Sequence, residues 1–271
     1  MYFWRLPKEE QMRFRRIKAV VTHSWHHLTH SMETWMDIFW MPMIQAFVFG
    51  GVALFFAQTA GEAAQFIVLG ILLWSGMEAG SYAIAVGALW EIWAKNFNNF
   101  FVSPLTLEEF TLGHIIFGLF KQVLTLGALS LVIYVVFHFS LFTIGPTLLI
   151  DFLLLMVFGY AVGMFALGMI LWFGTRIQSV SWSLIYLIQP LVGVFYPVSI
   201  LPTWVQTIAF VFPPTYVFES ARAAMITGKA NWDYLWMGFI LDIIFLTGGY
   251  LFMKAAWNRA RRLGKLAKIE E

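Results

Sequence analysis

Long apolar runs separated by short polar breaks dominate this sequence. A helix needs about 20 apolar residues to cross the roughly 30 Å hydrocarbon core of a bilayer. Six runs reach that length, at about 35–57, 65–90, 110–139, 141–172, 180–200 and 234–257. The pattern predicts an all-α integral membrane protein, in which residues 35–257 form a domain of six transmembrane helices.

A different pattern precedes the first run, over residues 1–34. Basic residues are frequent at its beginning, which is typical of a helix lying in the membrane interface. A helix packed on a partner subunit would show the same pattern, so both interpretations stay open. Apolar residues recur at steps of three and four, as on one helix face, at Phe14, Ile17, Val21, Trp25, Leu28, Met32 and Trp35.

Composition supports lipid as the solvent. Hydrophobic residues make up 60% of the 271-residue chain and charged residues 12%, against about 45–50% and 25% in soluble domains. The net charge of +2 gives no indication of nucleic-acid binding. The chain has no cysteine, which excludes disulfides, zinc–thiolate sites and iron–sulfur clusters.

The distribution of lysine and arginine predicts the topology. Cytoplasmic segments of membrane proteins are enriched in these residues. Six of them lie between residues 5 and 18, and five lie between 259 and 268. The loops at about 58–62 and 140–145 have none. We therefore expect a multi-pass protein of the plasma or inner membrane, with a cytoplasmic N-terminus and a basic cytoplasmic tail at 258–271.

Four charged residues fall inside predicted spans, where charge is costly and often functional. Glu78 lies near the middle of the second span and Lys121 about ten residues into the third, at depths that allow them to pair. A proton-coupled secondary transporter would use these two residues as a relay, whereas a structural ion pair would join two helices. Asp151 and Asp242 lie nearer the outer ends of their spans.

Histidines form a second candidate cluster, in the N-terminal helix. His23, His26, His27 and His30 fall on one helix face. Such a row can bind a transition metal or change its charge near neutral pH. That turn contains no Asp or Glu, so a solvated polar face without metal is the simpler interpretation.

Short motifs indicate helix packing rather than catalysis. Gly76 with Gly80 and Gly159 with Gly163 match the small-xxx-small pattern of closely packed membrane helices. The chain has no G-x-x-x-x-G-K-[ST] phosphate loop, no H-E-x-x-H and no G-x-S-x-G. We expect a protein that is not itself an enzyme and carries no cofactor of its own.

Two segments carry a family resemblance. One is EIWAKNFNNFFVSPLT at 91–106, and the other is GVFYPVSILPTWVQTI at 193–208, followed by PPTY at 213–216. In this order they resemble the ABC-2 type permeases, the membrane subunits of ATP-driven exporters. The resemblance covers about residues 35–257 and leaves the N-terminal helix outside.

The resemblance implies a mechanism and partners. Two copies of the six-span subunit would pair in the lipid bilayer around a translocation path, with two separate ATPase subunits that bind ATP and Mg²⁺. The stretch at about 92–102 would be the coupling helix that contacts the ATPase, through Trp93, Phe97, Phe100 and Phe101. The exported substrate would be amphipathic or lipid-linked: a drug, a lipid or a polysaccharide.

The second segment implies re-entrant helices on the outer side, between spans five and six. Its prolines interrupt helices, which is tolerated at membrane depth only where protein or a hydrated cavity surrounds the backbone. The chain has Pro213-Pro214 where family members usually have Asn-Pro, which leaves the fold assignment unchanged. The residues that the resemblance assigns to this re-entrant segment are Pro190, Pro197, Pro202, Pro213, Pro214, Glu219 and Arg222.

Overall fold

The computed structural model describes residues 8–57, 61–137 and 147–264, and these residues confirm the all-α prediction. Short turns connect most of the helices. The helices are α1 (Lys8–His30), α2 (Met32–Trp35), α3 (Met41–Ala57), α4 (Gly61–Trp93), α5 (Phe97–Val102), α6 (Leu107–Phe137), α7 (Thr147–Phe173), α8 (Val180–Ile188), α9 (Thr203–Ala209), α10 (Pro213–Thr227) and α11 (Trp232–Arg262).

Five helices of the described part are long and apolar enough to cross a membrane. The first is the run Met32–Ala57, in which a π-helical turn joins α2 to α3; the others are α4, α6, α7 and α11. They correspond to predicted spans one, two, three, four and six. The predicted boundary between spans three and four lies outside the described residues, and α11 continues five residues beyond the predicted end of span six.

The predicted interruption of the fifth apolar run, residues 180–200, at Gln189–Pro190 is confirmed. Helix α8 ends at Ile188, with Gln189 as its C-cap. The cause is Pro190, because a proline has no amide hydrogen and disfavours helical geometry in the residue before it. Nine residues rise only about 14 Å. The described residues therefore do not provide six spanning helices of ordinary length.

The residues that follow α8 nevertheless continue along α4. At one end of α4, Trp93 Nε1 donates a hydrogen bond to Gln178 Oε1 over 3.0 Å. Towards the other end, Gly70 lies against the carbonyl oxygen of Val194, where an added Cβ would overlap it. Trp93 and Gly70 are about 35 Å apart along the helix axis. Residues 178–194 thus extend along α4 over about the thickness of a bilayer core.

Glycines bring α4 and α7 into close contact at the centre of the bundle. A Cβ on Gly80 would lie 2.5 Å from the carbonyl oxygen of Met156, and one on Gly163 would lie 2.6 Å from that of Ser81. Gly159 faces the carbonyl oxygen of Met77 even more closely. The close helix approach predicted from the small-xxx-small pattern is confirmed.

Helix α1 packs on α6 of the same chain, an arrangement that neither sequence interpretation included. A Cβ on Gly113 would lie 2.6 Å from the side chain of Val20, and Trp25 makes an edge contact with Phe120 at 5.1 Å. From the first of these contacts to the second, the residue number increases on both helices, so α1 and α6 run in the same direction. Phe14 and Trp25 remain 51% and 44% exposed, which leaves apolar side chains for a membrane surface.

Candidate functional site

Helix α5 lies at one end of the bundle, between the last turn of α4 and the first turn of α6. The Phe97 side chain is fully buried and packs edge-on against Phe110 at 5.8 Å and Trp257 at 6.3 Å. Because the ring is enclosed by α6 and α11, it fixes α5 to the bundle. The side chains of Phe100 and Phe101 lie outside the described residues, although the α5 backbone includes both.

Trp93 is also engaged within the subunit. Besides its hydrogen bond to Gln178, the indole stacks on Trp182 at 5.8 Å between ring centroids. Its side chain is 42% exposed. Trp93 therefore joins the end of α4 to α8.

Arg16 of α1 binds the residue that caps α6 just after α5. Thr106 and Glu109 form a capping box, in which each backbone amide donates to the other residue's side chain, at 3.1 and 3.2 Å. Arg16 Nη2 donates to Glu109 Oε1 over 2.8 Å, and Glu109 is only 2% exposed. This charge-assisted hydrogen bond connects α1 to the segment that follows α5.

His23 of α1 binds the residue that precedes α5. Its Nε2 lies 2.9 Å from Glu91 Oε1, and Asn96, the N-cap residue of α5, donates from Nδ2 to Glu91 Oε2 over 3.0 Å. The hydrogen bond to Glu91 raises the pKa of His23, although partial burial opposes the change. Helix α1 is therefore bonded to both flanks of α5.

We predict that the His23–Glu91 contact stabilises the fold mainly at acid pH. The folded-state pKa of His23 is raised above 6.5, so its stabilisation is complete below that value and is lost as the pH rises through the raised pKa. His23→Gln should lower the thermal unfolding midpoint by about 1–4 °C at pH 5.5 and by less at pH 8.5. His26→Gln, which changes an exposed histidine of the same helix, is the control. An equal effect of His23→Gln at both pH values would contradict the prediction.

The histidine row does not form a metal site among the described residues, where no group of three or more His, Cys, Asp or Glu side chains is placed to hold an ion. His27 points to the bundle beside Trp90, at 5.6 Å between rings, and burial lowers its pKa. His26 and His30 stay exposed, with ring centroids 6.2 Å apart. The four side chains thus have two different environments.

A polar cavity of about 90 Å³ lies between α1, α4 and α6. Glu78 and Lys121 both line it, together with His27 and His114. The Glu78 carboxylate accepts hydrogen bonds from the hydroxyl of Tyr186 and from the amide of Gln45, at 3.4 Å for the latter. The cavity has room for about three water molecules. The structure thus places the two predicted intramembrane charges in the lining of one cavity.

At the other end of the bundle, Arg222 connects α10 to the segment after α8. Its Nη1 donates to the carbonyl oxygen of Gly193 over 2.8 Å, and its Nη2 donates to Glu219 over 2.9 Å. Glu219 also accepts the backbone N–H of Val198, at 2.8 Å. Arg222 is 3% exposed, and burial lowers its pKa while Glu219 opposes the change. We call these groups the Arg222 cluster.

The predicted helix-breaking prolines all lie at helix boundaries or in turns of this segment. Pro190 follows α8, and its carbonyl accepts the hydroxyl of Tyr196 at 2.6 Å. The remaining four precede or begin helical elements: Pro197 before a 3₁₀ turn, Pro202 before α9, and Pro213 and Pro214 in the first turn of α10. Short helices therefore occupy the segment where the resemblance predicted them.

Asp151 of α7 and Asp242 of α11, the other two predicted intramembrane charges, are buried, with 0% and 1% of their surface exposed. Neither residue lines the cavity that contains Glu78 and Lys121. The sequence interpretation did not identify Arg16, Glu109, His23 and Glu91 as a connected group. The T-x-x-E pattern at Thr106–Glu109 is the signal that predicts the capping box.

The length and apolar character of its helices define the chain as a multi-pass helical membrane protein. The family model for the ABC-2 type transporter matches residues 15–226. The chain therefore belongs to the ABC-2 type transporter family, whose membrane domains work with ATP-binding subunits. Comparison with curated proteins gives no match. The matched range begins inside α1, so the expectation that the N-terminal helix lies outside the family resemblance is wrong.

Proposed function

We propose that the chain is the permease subunit of an ATP-driven exporter. Two copies form the translocation path, and two separate ATPase subunits bind ATP and Mg²⁺ and contact α5. The observation that carries the proposal is the family match over α1–α10, combined with a six-residue helix, α5, fixed between the long helices α4 and α6. A helix at this position can transmit movement of a partner directly to both.

The proposed topology has six crossings. Residues 178–194 supply the fifth crossing, since they follow α4 over about a bilayer thickness, and α9 and α10 form the re-entrant part at the outer side. Arg13, Arg15 and Arg261 are exposed at the same end of the bundle as α5. The positive-inside rule makes that end cytoplasmic and places both termini there, in the plasma or inner membrane.

The proposed substrate is amphipathic or lipid-linked: a drug, a lipid or a polysaccharide. The class rests on the resemblance of the 193–208 segment to permeases with such substrates. The proposal also accounts for the many exposed aromatic side chains, because sugars and apolar groups both stack on aromatic faces. Whichever of these substrates is exported, lipid surrounds the transmembrane helices.

A proton-coupled secondary transporter using Glu78 and Lys121 is the second candidate. Its specific support is that both residues line one polar cavity. Against it, Glu78 accepts hydrogen bonds from Gln45 of α3 and Tyr186 of α8, as expected of a group that connects helices. Because the chain belongs to the ABC-2 family, we favour the exporter.

We predict that the tagged chain, extracted in mild detergent, co-purifies with a nucleotide-binding subunit in about equal amount and with ATPase activity. Phe100→Ala with Phe101→Ala should reduce the recovered subunit about tenfold or more, because aromatic contacts at an interface centre each contribute about 2 kcal/mol or more. The readouts are band intensity and phosphate release from the eluate.

Trp204→Ala is the matched control, because this residue is an exposed aromatic, 69% accessible, on α9 at the other end. It should leave recovery of the ATPase unchanged. A chain that purifies without any ATPase and transports under a proton gradient would exclude the exporter and support the second candidate.

A further inference from the structure

The cavity between α1, α4 and α6 is lined by buried polar groups that have no hydrogen-bond partner. Ser24 of α1 and His114 of α6 both line it, and they are only 7% and 5% exposed. Within the part of the chain that the structure describes, Ser24 Oγ, His114 Nε2 and the Nε2 atom of His27 all lack a partner. Nearly all buried polar groups of native proteins have one. Three such atoms in the lining of one cavity therefore indicate that the cavity binds a ligand.

The register of α1 and α6 brings Lys121 to these groups. The two helices are in contact at residues 93 positions apart, as in the hydrogen bond from α1 to the capping box of α6. Lys121, which also lines the cavity, is therefore level with the turn of α1 that contains Ser24 and His27. His114 precedes Lys121 by two helical turns and so lies on the same side of α6. A Cβ on Gly87 of α4 would lie 2.8 Å from His114 Nδ1, so this nitrogen packs on α4, whereas Nε2 is left without a partner.

The electrostatic environment of His27 shows that the Lys121 charge acts on this turn of α1. Burial lowers the pKa of His27, the Glu91 carboxylate opposes the change, and the charges of His23 and Lys121 lower the pKa further. The repulsion means that positive charge gathers at this part of the cavity. An anion bound between the two helices would remove the repulsion and add charge-assisted hydrogen bonds.

The carboxylates of the lining already accept hydrogen bonds on both of their oxygens. Glu78 accepts from the Tyr186 hydroxyl at Oε1 and from the Gln45 amide at Oε2. Glu91 has a partner at each oxygen as well, one from α1 and one from the N-cap residue of α5. Among the described residues, the unpartnered buried groups of the lining are hydroxyls and imidazoles, which can donate hydrogen bonds. The ligand that completes them is therefore an acceptor, and Lys121 favours one with negative charge.

We propose that Ser24, His27, His114 and Lys121 bind one small oxyanion group, with the chemistry of phosphate, in the cavity between α1, α4 and α6. A phosphate group carries several acceptor oxygens on one atom, so it can accept from hydroxyl, imidazole and ammonium groups together. It can come from free phosphate or from a lipid headgroup.

The size of the cavity separates this site from the translocation path. Its volume is about 90 Å³, whereas pockets for drug-sized ligands have about 300–1,000 Å³. It therefore has room for a small ion or headgroup and not for a whole exported molecule. The site goes beyond the proposed export function and holds whether or not an ATPase is bound.

A melting titration of the purified wild-type protein tests the site. The protein, in maltoside micelles, is titrated with inorganic phosphate while KCl keeps the ionic strength constant, and intrinsic fluorescence reports the unfolding midpoint. We expect a saturable rise of about 3–6 °C at ten times the half-saturating concentration.

A lipid arm of the same experiment separates the two sources of the phosphate group. Dioleoylphosphatidic acid is added to the micelles, and dioleoylglycerol, which has the same chains and no phosphate, is the control. A rise with inorganic phosphate shows that the free ion binds, whereas a rise with phosphatidic acid alone identifies a lipid headgroup. No saturable rise with either probe overturns the proposal.

Variants of the lining show whether the rise comes from this cavity. Ser24→Ala removes one hydroxyl and should raise the half-saturating concentration about tenfold or more, because hydrogen bonds to charged groups contribute at least that factor. Lys121→Gln should abolish saturation, and Thr22→Ala, at an exposed position of the same helix, should change nothing. Phosphate also stabilises proteins generally, and all variants share that effect. A titration curve that Ser24→Ala and Lys121→Gln leave unaltered would therefore overturn the site.

Discussion

Arg222→Met should lower the thermal unfolding midpoint by about 6–12 °C, because it leaves the Glu219 charge and the Gly193 carbonyl without their donor. Removing one partner of a buried ion pair costs about 3–5 kcal/mol, and each kcal/mol corresponds to about 2–4 °C in a chain of this size. Glu219 is partly exposed, with 22% of its side-chain surface accessible, so water reduces the loss towards the lower limit. The measurement is a fluorescence-monitored melt in detergent.

Two further variants show whether the uncompensated charge is the cause. Glu219→Gln added to Arg222→Met removes that charge and keeps an acceptor for the Val198 N–H, so the double variant should recover part of the loss. Lys229→Met changes an exposed basic residue just after α10 and should shift the midpoint by about 1–2 °C at most. A double variant less stable than Arg222→Met alone would argue against this explanation.

Gly159→Ala should destabilise the protein by about 2–3 kcal/mol, or 4–12 °C in the unfolding midpoint. The added Cβ would overlap the Met77 carbonyl oxygen and lie 3.0 Å from the Ser81 nitrogen. Both are backbone atoms, so α4 and α7 must separate to admit the methyl group. Since the contact lies at the centre of the bundle, the separation exposes packed apolar surface on both helices.

Gly127→Ala is the matched control for this prediction. Gly127 lies within α6, and a Cβ there would have nothing within 4 Å. The substitution should be neutral or stabilise by up to about 1 kcal/mol, because alanine favours helix more than glycine does. Equal destabilisation by both substitutions would show that helix propensity, and not the α4–α7 contact, determines the result.

The sequence predicted the long helices well because a span requires a continuous apolar run, and the run itself is visible. The first predicted span ends at Ala57, where α3 ends. In the apolar run at residues 180–200, Pro190 predicts an interruption, and α8 ends at Ile188. Hydropathy measures whether a segment prefers lipid, whereas an X–Pro pair determines where the helix stops. In this segment the restriction that Pro190 places on the backbone, and not hydropathy, determines where the helix ends.

The candidate sites were harder to predict because their residues are far apart in the sequence. Arg16 and Glu109 are separated by 93 positions and His23 and Glu91 by 68, so no spacing rule connects them. The family resemblance implied that Phe97 contacts the ATPase. Its ring instead lies between α6 and α11. Only the tertiary structure determines on which side of a six-residue helix a side chain is buried.

The packing of α1 on α6 has a consequence for the order of synthesis. Arg16 leaves the ribosome 93 residues before Glu109, which at about 5–20 residues per second is about 5–20 s. During that interval Val20 and Leu28 have no α6 to cover them. The membrane surface is the apolar phase then available, so we expect α1 to bind lipid first and to pack on α6 once α6 has been inserted.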